Sequence, residues 1–71
     1  MQKVEIRTTG YIDERWEEWF SGLTIQHSQS GETILEGFLP DQAALYGIIA
    51  RLRDLGIQLN SVTCEAINDK N

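Results

Sequence analysis

The segment LTIQHSQSGETILEGFLPD, residues 23–41, contains the patterns that decide the fold. Apolar residues alternate with polar ones over residues 23–27, and a second strand-like run covers residues 32–39. The turn cluster SQSG separates the two runs, so the segment predicts a β-hairpin. Pro40 ends the second strand because it has no N–H for a strand ladder, and Asp41 is a typical first residue of a helix.

On the C-terminal side of this hairpin the sequence predicts a helix and then a strand. An apolar stripe at helical spacing follows Asp41, and Gly56 supplies the stop. The stripe consists of Leu45, Ile48, Ile49, Leu52 and Leu55. A last strand is expected from about Gln58 to Ile67.

On the N-terminal side a strand and a short helix precede the hairpin. Val4, Ile6 and Thr8 alternate with charged residues, and Gly10 closes this strand. Asp13 is the expected cap of an α-helix of a few turns that Gly22 ends. Its apolar side chains at helical spacing are Ile12, Trp16, Trp19 and Phe20, which we expect to belong to the core.

The predicted order is strand, helix, strand, strand, helix, strand, which is typical of the α+β, ferredoxin-like βαββαβ arrangement. A right-handed crossover leaves a gap that the third strand fills, giving a four-stranded antiparallel sheet with two helices on one face. We expect a single domain over residues 1–67 and a frayed polar tail over residues 68–71.

The composition of the chain argues against several classes of function. The chain has 71 residues with six basic and eleven acidic side chains, a net charge of −5, and its basic residues are scattered, which disfavours nucleic acid as a partner. No apolar run approaches the length of a membrane span. Cys64 is the sole cysteine, so no internal disulfide forms, and a free thiol favours the cytoplasm. A core this small is marginal, which favours oligomerisation.

No set of residues predicts catalysis, a metal site or a cofactor. His27 is interpreted as a histidine at the end of a strand, and Cys64 as a buried thiol that points inward with Val62 and Ala66. Four acidic residues of the first helix are interpreted as a solvated face: Asp13, Glu14, Glu17 and Glu18. We therefore expect a protein that is not an enzyme.

The third strand carries large apolar residues on both faces. With helices on one side only, Ile34 and Phe38 are expected on the open side of the sheet, where Leu59 joins them. Such a patch indicates an interaction surface. The alternative is a twist or bulge near Gly37 that restores burial.

Two stretches resemble a family of very short, uncharacterised bacterial proteins. They are WEEWFSGLTI, residues 16–25, with His27 after it, and PDQAALYGIIARLRDLGIQLNSV, residues 40–62. Tyr46 stands where the family pattern often has histidine. The resemblance implies one compact domain and carries no established activity, so it assigns no site residues.

Three functions remain open. The first is a small non-catalytic interaction module, a homodimer or a partner of another protein, that associates through the open sheet face or an edge strand. The second is a regulatory module for a small ligand, like amino-acid-binding domains, with Gly10, Gly37 and Asp41 near the ligand. An enzyme ranks third because titrating groups do not converge.

Overall fold

The computed structural model describes residues 1–20 and 22–67, and the expected frayed tail at 68–71 lies outside these residues. Its elements are β1 (Gln2–Thr9), a 3-10 helix (Glu14–Phe20), β2 (Thr24–His27), β3 (Glu32–Leu39), α1 (Gln42–Asp54) and β4 (Leu59–Ala66).

The four strands form one antiparallel sheet in the order β2-β3-β1-β4. The α+β class, the antiparallel sheet and the two helices are therefore confirmed. β3 fills the space between β2 and β1, and β4 lies on the outer side of β1.

The hairpin and α1 form where the local signals place them. β3 spans Glu32–Leu39, the strand-like run that the sequence predicts between the SQSG turn and Pro40. The Asp41 side chain accepts a hydrogen bond from the Ala44 N–H at 2.9 Å, which satisfies one of the free donors at the start of α1. α1 ends before Gly56, which adopts a φ of +75°.

The first helix differs from the prediction because it is a 3-10 helix, which has three residues per turn. Trp16 and Trp19 therefore lie along one ridge and meet edge to face, with ring centroids 5.1 Å apart, while Phe20 lies on the neighbouring ridge. Phe20 is fully buried, whereas Trp16 and Trp19 are 39% and 40% exposed. The expectation that both tryptophans belong to the core is wrong.

One hydrophobic core joins both helices to the sheet. Its buried members are Val4, Ile6, Ile12, Phe20, Leu23, Ile25, Leu35, Leu39, Leu45, Ile48 and Leu52. The 3-10 helix packs against β2, and α1 packs against β3. Neither helix among the described residues has the length and apolarity that crossing a bilayer demands.

β4 departs from the predicted pattern at a β-bulge. Arg7 lies opposite Ser61 while Thr8 lies opposite Leu59, so Asn60 is the extra residue of β4. The bulge turns Leu59 to the same face as buried Thr8, where it packs against the core. The placement of Leu59 on the open face is therefore wrong.

Cys64 is exposed, so its predicted burial is also wrong. Val62 and Cys64 stand opposite Ile6 and Val4, on the core face of the sheet. Nothing among the described residues covers them there, since Val62 is 40% exposed and every residue of β4 after Leu59 is exposed.

Candidate functional site

The open face of the sheet carries Ile34 and Phe38, which are separated by Glu36 along β3. Ile34 lies opposite Arg7 of β1, and Phe38, which is 53% exposed, lies opposite Lys3. Each apolar side chain therefore has a cationic neighbour, and the two do not form a continuous patch.

A polar network crosses the same face and joins β1, β3 and β4. Arg7 donates from Nε to Glu5 at 2.8 Å and from Nη1 to Glu32 at 3.4 Å. Asn60, the bulge residue, donates to Glu32 at 2.9 Å and accepts from the Thr9 hydroxyl at 2.8 Å. Glu5, as a hydrogen-bond acceptor and a negative charge, raises the pKa of Arg7 above its ordinary value, so this guanidinium stays charged at every physiological pH.

The charge of the open face opposes contact between two copies of it. Strand register places four carboxylates and two cations there: Glu5, Glu32, Glu36 and Glu65 against Lys3 and Arg7. Two such faces brought together would bury an excess of like charge, which costs free energy.

The outer edge of β4 is a second surface, and its backbone directions follow from two hydrogen bonds. The Ile67 N–H donates to the Met1 carbonyl at 2.9 Å, and the Thr9 N–H donates to the Gln58 carbonyl at 3.0 Å. Because facing and outward residues alternate along an antiparallel strand, Val62, Cys64 and Ala66 direct their N–H and C=O groups away from β1.

This edge has little of the usual protection against strand pairing. Natural edge strands are commonly short, or carry lysine or proline. β4 has eight residues, no lysine, arginine or proline, and one charge, Glu65. Its bulge lies near the start of the strand, at Asn60, so the rest of the edge is regular.

A third feature is an aromatic groove near the start of the 3-10 helix. His27 ends β2 and its Nε2–H donates to the Ile12 carbonyl at 2.7 Å. The Tyr11 ring stacks on His27 with centroids 4.3 Å apart, although Tyr11 itself is 73% exposed. The groove measures about 360 Å³ and is lined by Tyr11, Ile12, Asp13, Trp16, Leu55 and Ile57.

The three residues expected near a small ligand do not meet. Gly10 follows β1, whereas Gly37 lies opposite Val4 near the other end of that strand. The carboxylate of Asp41 is occupied as the cap of α1. Sequence reasoning missed the groove because Tyr11 and Leu55 come together only through the tertiary fold.

Several titratable side chains of residues 1–20 and 22–67 make contacts with nearby structural groups. Asp13 pairs with Arg15 at 3.4 Å, and Glu17 accepts from the Ile25 N–H at 3.0 Å, which are local structural contacts. The Cys64 thiol donates to the Gln2 side chain at 3.0 Å. Within residues 1–20 and 22–67, no three potential ligand side chains gather into a group that could hold a metal ion.

Comparison with protein families relates most of the chain to a known family model. The family described as Domain of unknown function (DUF8691) matches residues 3–63. The chain belongs to this family. The DUF8691 match includes β2, β3 and both helices in full. This agrees with the uncharacterised family expected from the two quoted stretches, and the family description assigns no activity. Comparison with curated proteins and with solved structures gave no match.

Proposed function

We propose that this DUF8691 protein is a small, non-catalytic interaction module that self-associates through the exposed edge of β4. The observation that carries the proposal is the outward direction of three successive N–H and C=O pairs, at Val62, Cys64 and Ala66. Strand addition at such an edge supplies backbone hydrogen bonds to the partner. The lone free thiol supports a cytoplasmic setting.

The order of elements supports a ferredoxin-like topology for this module. β3 lies between β2 and β1, and β4 lies outside β1. This arrangement leaves β4 and β2 as the two edges, and β4 is twice as long as β2, with eight residues against four.

Self-association fits the size of the protein and the side chains at this edge. A core built from 71 residues is marginal, and a two-fold interface extends it without a disulfide or a metal. Val62, Cys64 and Ala66 present small, uncharged side chains on the uncovered part of the core face. The open face, by contrast, offers net negative charge.

The test is the solution mass by size-exclusion chromatography with light scattering over a hundredfold concentration range. We expect a mass near twice 8.1 kDa at the higher concentrations. Cys64→Pro removes an N–H that takes no part in the β1–β4 ladder, so this variant keeps its fold and becomes monomeric. Cys64→Ser, the matched control, keeps the N–H and stays dimeric.

Phe38→Lys tests the competing open-face interface. It adds a cation to the open face without touching β4, so the edge interface predicts an unchanged dimer. A wild-type protein that stays monomeric throughout, or a Phe38→Lys monomer beside a Cys64→Pro dimer, contradicts self-association through β4.

A second candidate function is the regulatory binding of a small ligand. The aromatic groove is the feature that supports it. Exposed Tyr11 and Trp16 with the Leu55 side chain offer an apolar, aromatic lining. A thermal-shift screen with amino acids and nucleotides tests this candidate. A stabilising compound should lose its effect in Trp16→Ala and retain it in Trp19→Ala, since Trp19 does not line the groove.

A further inference from the structure

We infer that the two-fold axis of the β4 dimer passes beside Cys64, so that the two thiols lie across from each other on the paired strands. The inference rests on the proposed function and specifies its geometry. Two antiparallel copies of β4 can align in several ways. The inference is based on how many backbone N–H and C=O groups find a hydrogen-bond partner in each alignment.

The regular part of β4 has its midpoint at Cys64. Register with β1 is unbroken from Ser61, opposite Arg7, to Ala66, opposite Gln2, and the Ile67 N–H extends it by one hydrogen bond. A strand that pairs with itself antiparallel uses its full regular length only if the two-fold axis passes through the midpoint.

An axis at Cys64 gives a partner to every outward residue. Val62 then faces the partner's Ala66, and Cys64 faces the partner's Cys64. Ala66 in turn faces the partner's Val62. Each such pair exchanges two hydrogen bonds, as is usual for residues whose backbone groups point toward each other in an antiparallel ladder.

Neighbouring alignments satisfy fewer groups. An axis at Thr63 places Ala66 against the bulged residue Asn60, where the ladder is disrupted. With an axis at Glu65, Val62 lies opposite a position beyond Ile67, which is the last residue of the regular segment, so Val62 has no partner in that segment. Either shifted alignment leaves two regular hydrogen-bonded pairs, one fewer than the three that an axis at Cys64 gives.

Side chains are compatible with the alignment on both faces. On the core face, Val62 meets the partner's Ala66, a contact between apolar side chains of unequal size. On the open face, Thr63 meets the partner's Glu65, so the two Glu65 carboxylates do not oppose each other directly. The alignment places no like charges in direct opposition.

Distances between equivalent residues distinguish the alignments. With the axis at Cys64, the two Cys64 Cα atoms are about 5.5 Å apart, the spacing of a hydrogen-bonded pair. The two copies of residue 62 are offset by four residues along the strands, which separates them by roughly 13 Å, and the same holds for residue 66.

The experiment is a cysteine scan with a short bis-maleimide on the 71-residue chain. Three single-cysteine proteins are compared: the wild type, Cys64→Ser/Val62→Cys and Cys64→Ser/Ala66→Cys. Reaction with a monofunctional maleimide corrects each rate for exposure, and circular dichroism verifies the fold. We expect the wild type to form covalent dimer about tenfold faster than either other protein, because the effective concentration of the second thiol falls with distance.

Each other outcome identifies what has failed. Fastest cross-linking at residue 62 or 66, or a rate at 64 equal to that at 62 or at 66, overturns the axis at Cys64 and leaves the edge interface standing. A dimeric mass without cross-linking at any of the three positions overturns both the axis and the edge interface. A monomeric mass overturns both as well.

Discussion

Replacing Thr33 by valine should destabilise the fold far more than the same change at Thr8, although both side chains are fully buried and lie opposite each other. The Thr33 hydroxyl donates to the Gly10 carbonyl at 2.6 Å and accepts from the Ile12 N–H at 3.0 Å. It therefore holds both ends of the loop that carries Tyr11. The Thr8 hydroxyl makes one longer bond, 3.3 Å, to the Thr33 carbonyl.

The expected magnitudes follow from the groups that lose their partners. Thr33→Val keeps the shape, leaves the buried Ile12 N–H unsatisfied and removes a part-buried hydrogen bond to the carbonyl of exposed Gly10, which together cost about 2–4 kcal/mol. Thr8→Val leaves the Thr33 carbonyl in the β1–β3 ladder and costs roughly 0–1 kcal/mol. A chain of this length has a total stability of about 4–10 kcal/mol, so the first loss is a large fraction.

Urea unfolding followed by tryptophan fluorescence measures both variants, at one protein concentration so that association contributes equally. A loss of about 2 kcal/mol or more lowers the melting temperature of such a domain by at least ~8 °C. Equal losses in Thr33→Val and Thr8→Val, or a loss at Thr33 below about 1 kcal/mol, would refute the role given to the Thr33 hydroxyl.

Three further changes test other parts of the structure. Asp41→Ala removes the cap that accepts from the Ala44 N–H and should cost ~1 kcal/mol in a urea melt, with Asp41→Asn retaining most of the stability. Gly37→Ala places a Cβ 3.0 Å from the Leu23 side chain at a φ of +154°, so a loss of about 1–3 kcal/mol is expected, and an unchanged midpoint would contradict this close approach. Carboxymethylation of Cys64 with iodoacetate should weaken the proposed dimer more than iodoacetamide does, as measured by light scattering, because two like charges would then meet at the proposed axis.

Local signals in the sequence were sufficient for the hairpin and for α1. The run over residues 32–39 lies between the turn cluster SQSG and Pro40, and both of these boundary signals are local. Asp41 and Gly56 act on backbone groups within a few residues of themselves, so the bounds of α1 needed no tertiary information.

The first helix shows where spacing is ambiguous. Ile12, Trp16 and Phe20 are four residues apart and share a face in an α-helix, which led to the prediction of a tryptophan-rich core. The observed 3-10 winding moves Trp16 away from Phe20. A helix of seven residues is determined by the packing of its ends rather than by its own periodicity, and the sequence alone does not specify that packing.

The sequence-based assignment of faces in β4 failed at one residue, the extra residue of the bulge. The bulge at Asn60 reverses the face on which Leu59 lies, and a period-two pattern cannot show where such an extra residue stands. The exposure of Val62 and Cys64 depends on where the helices lie on the sheet. The position of the helices on the sheet is a tertiary property. The alternation along β4 therefore assigned Val62 and Cys64 to the correct face of the sheet, but their predicted burial was wrong.

The positions of the helices also explain why the edge interface would form a closed dimer. A helix about 10 Å across covers roughly two strands spaced ~4.8 Å apart. The 3-10 helix packs on β2 and α1 packs on β3, so their coverage reaches β1 and leaves β4 outside. Pairing two copies at β4 would place the two β4 strands, which neither described helix covers, at the centre of an eight-stranded sheet. Only β2, with four residues, would then lie at each outer edge. So short an edge is a poor template for further strands, and growth should stop at two copies.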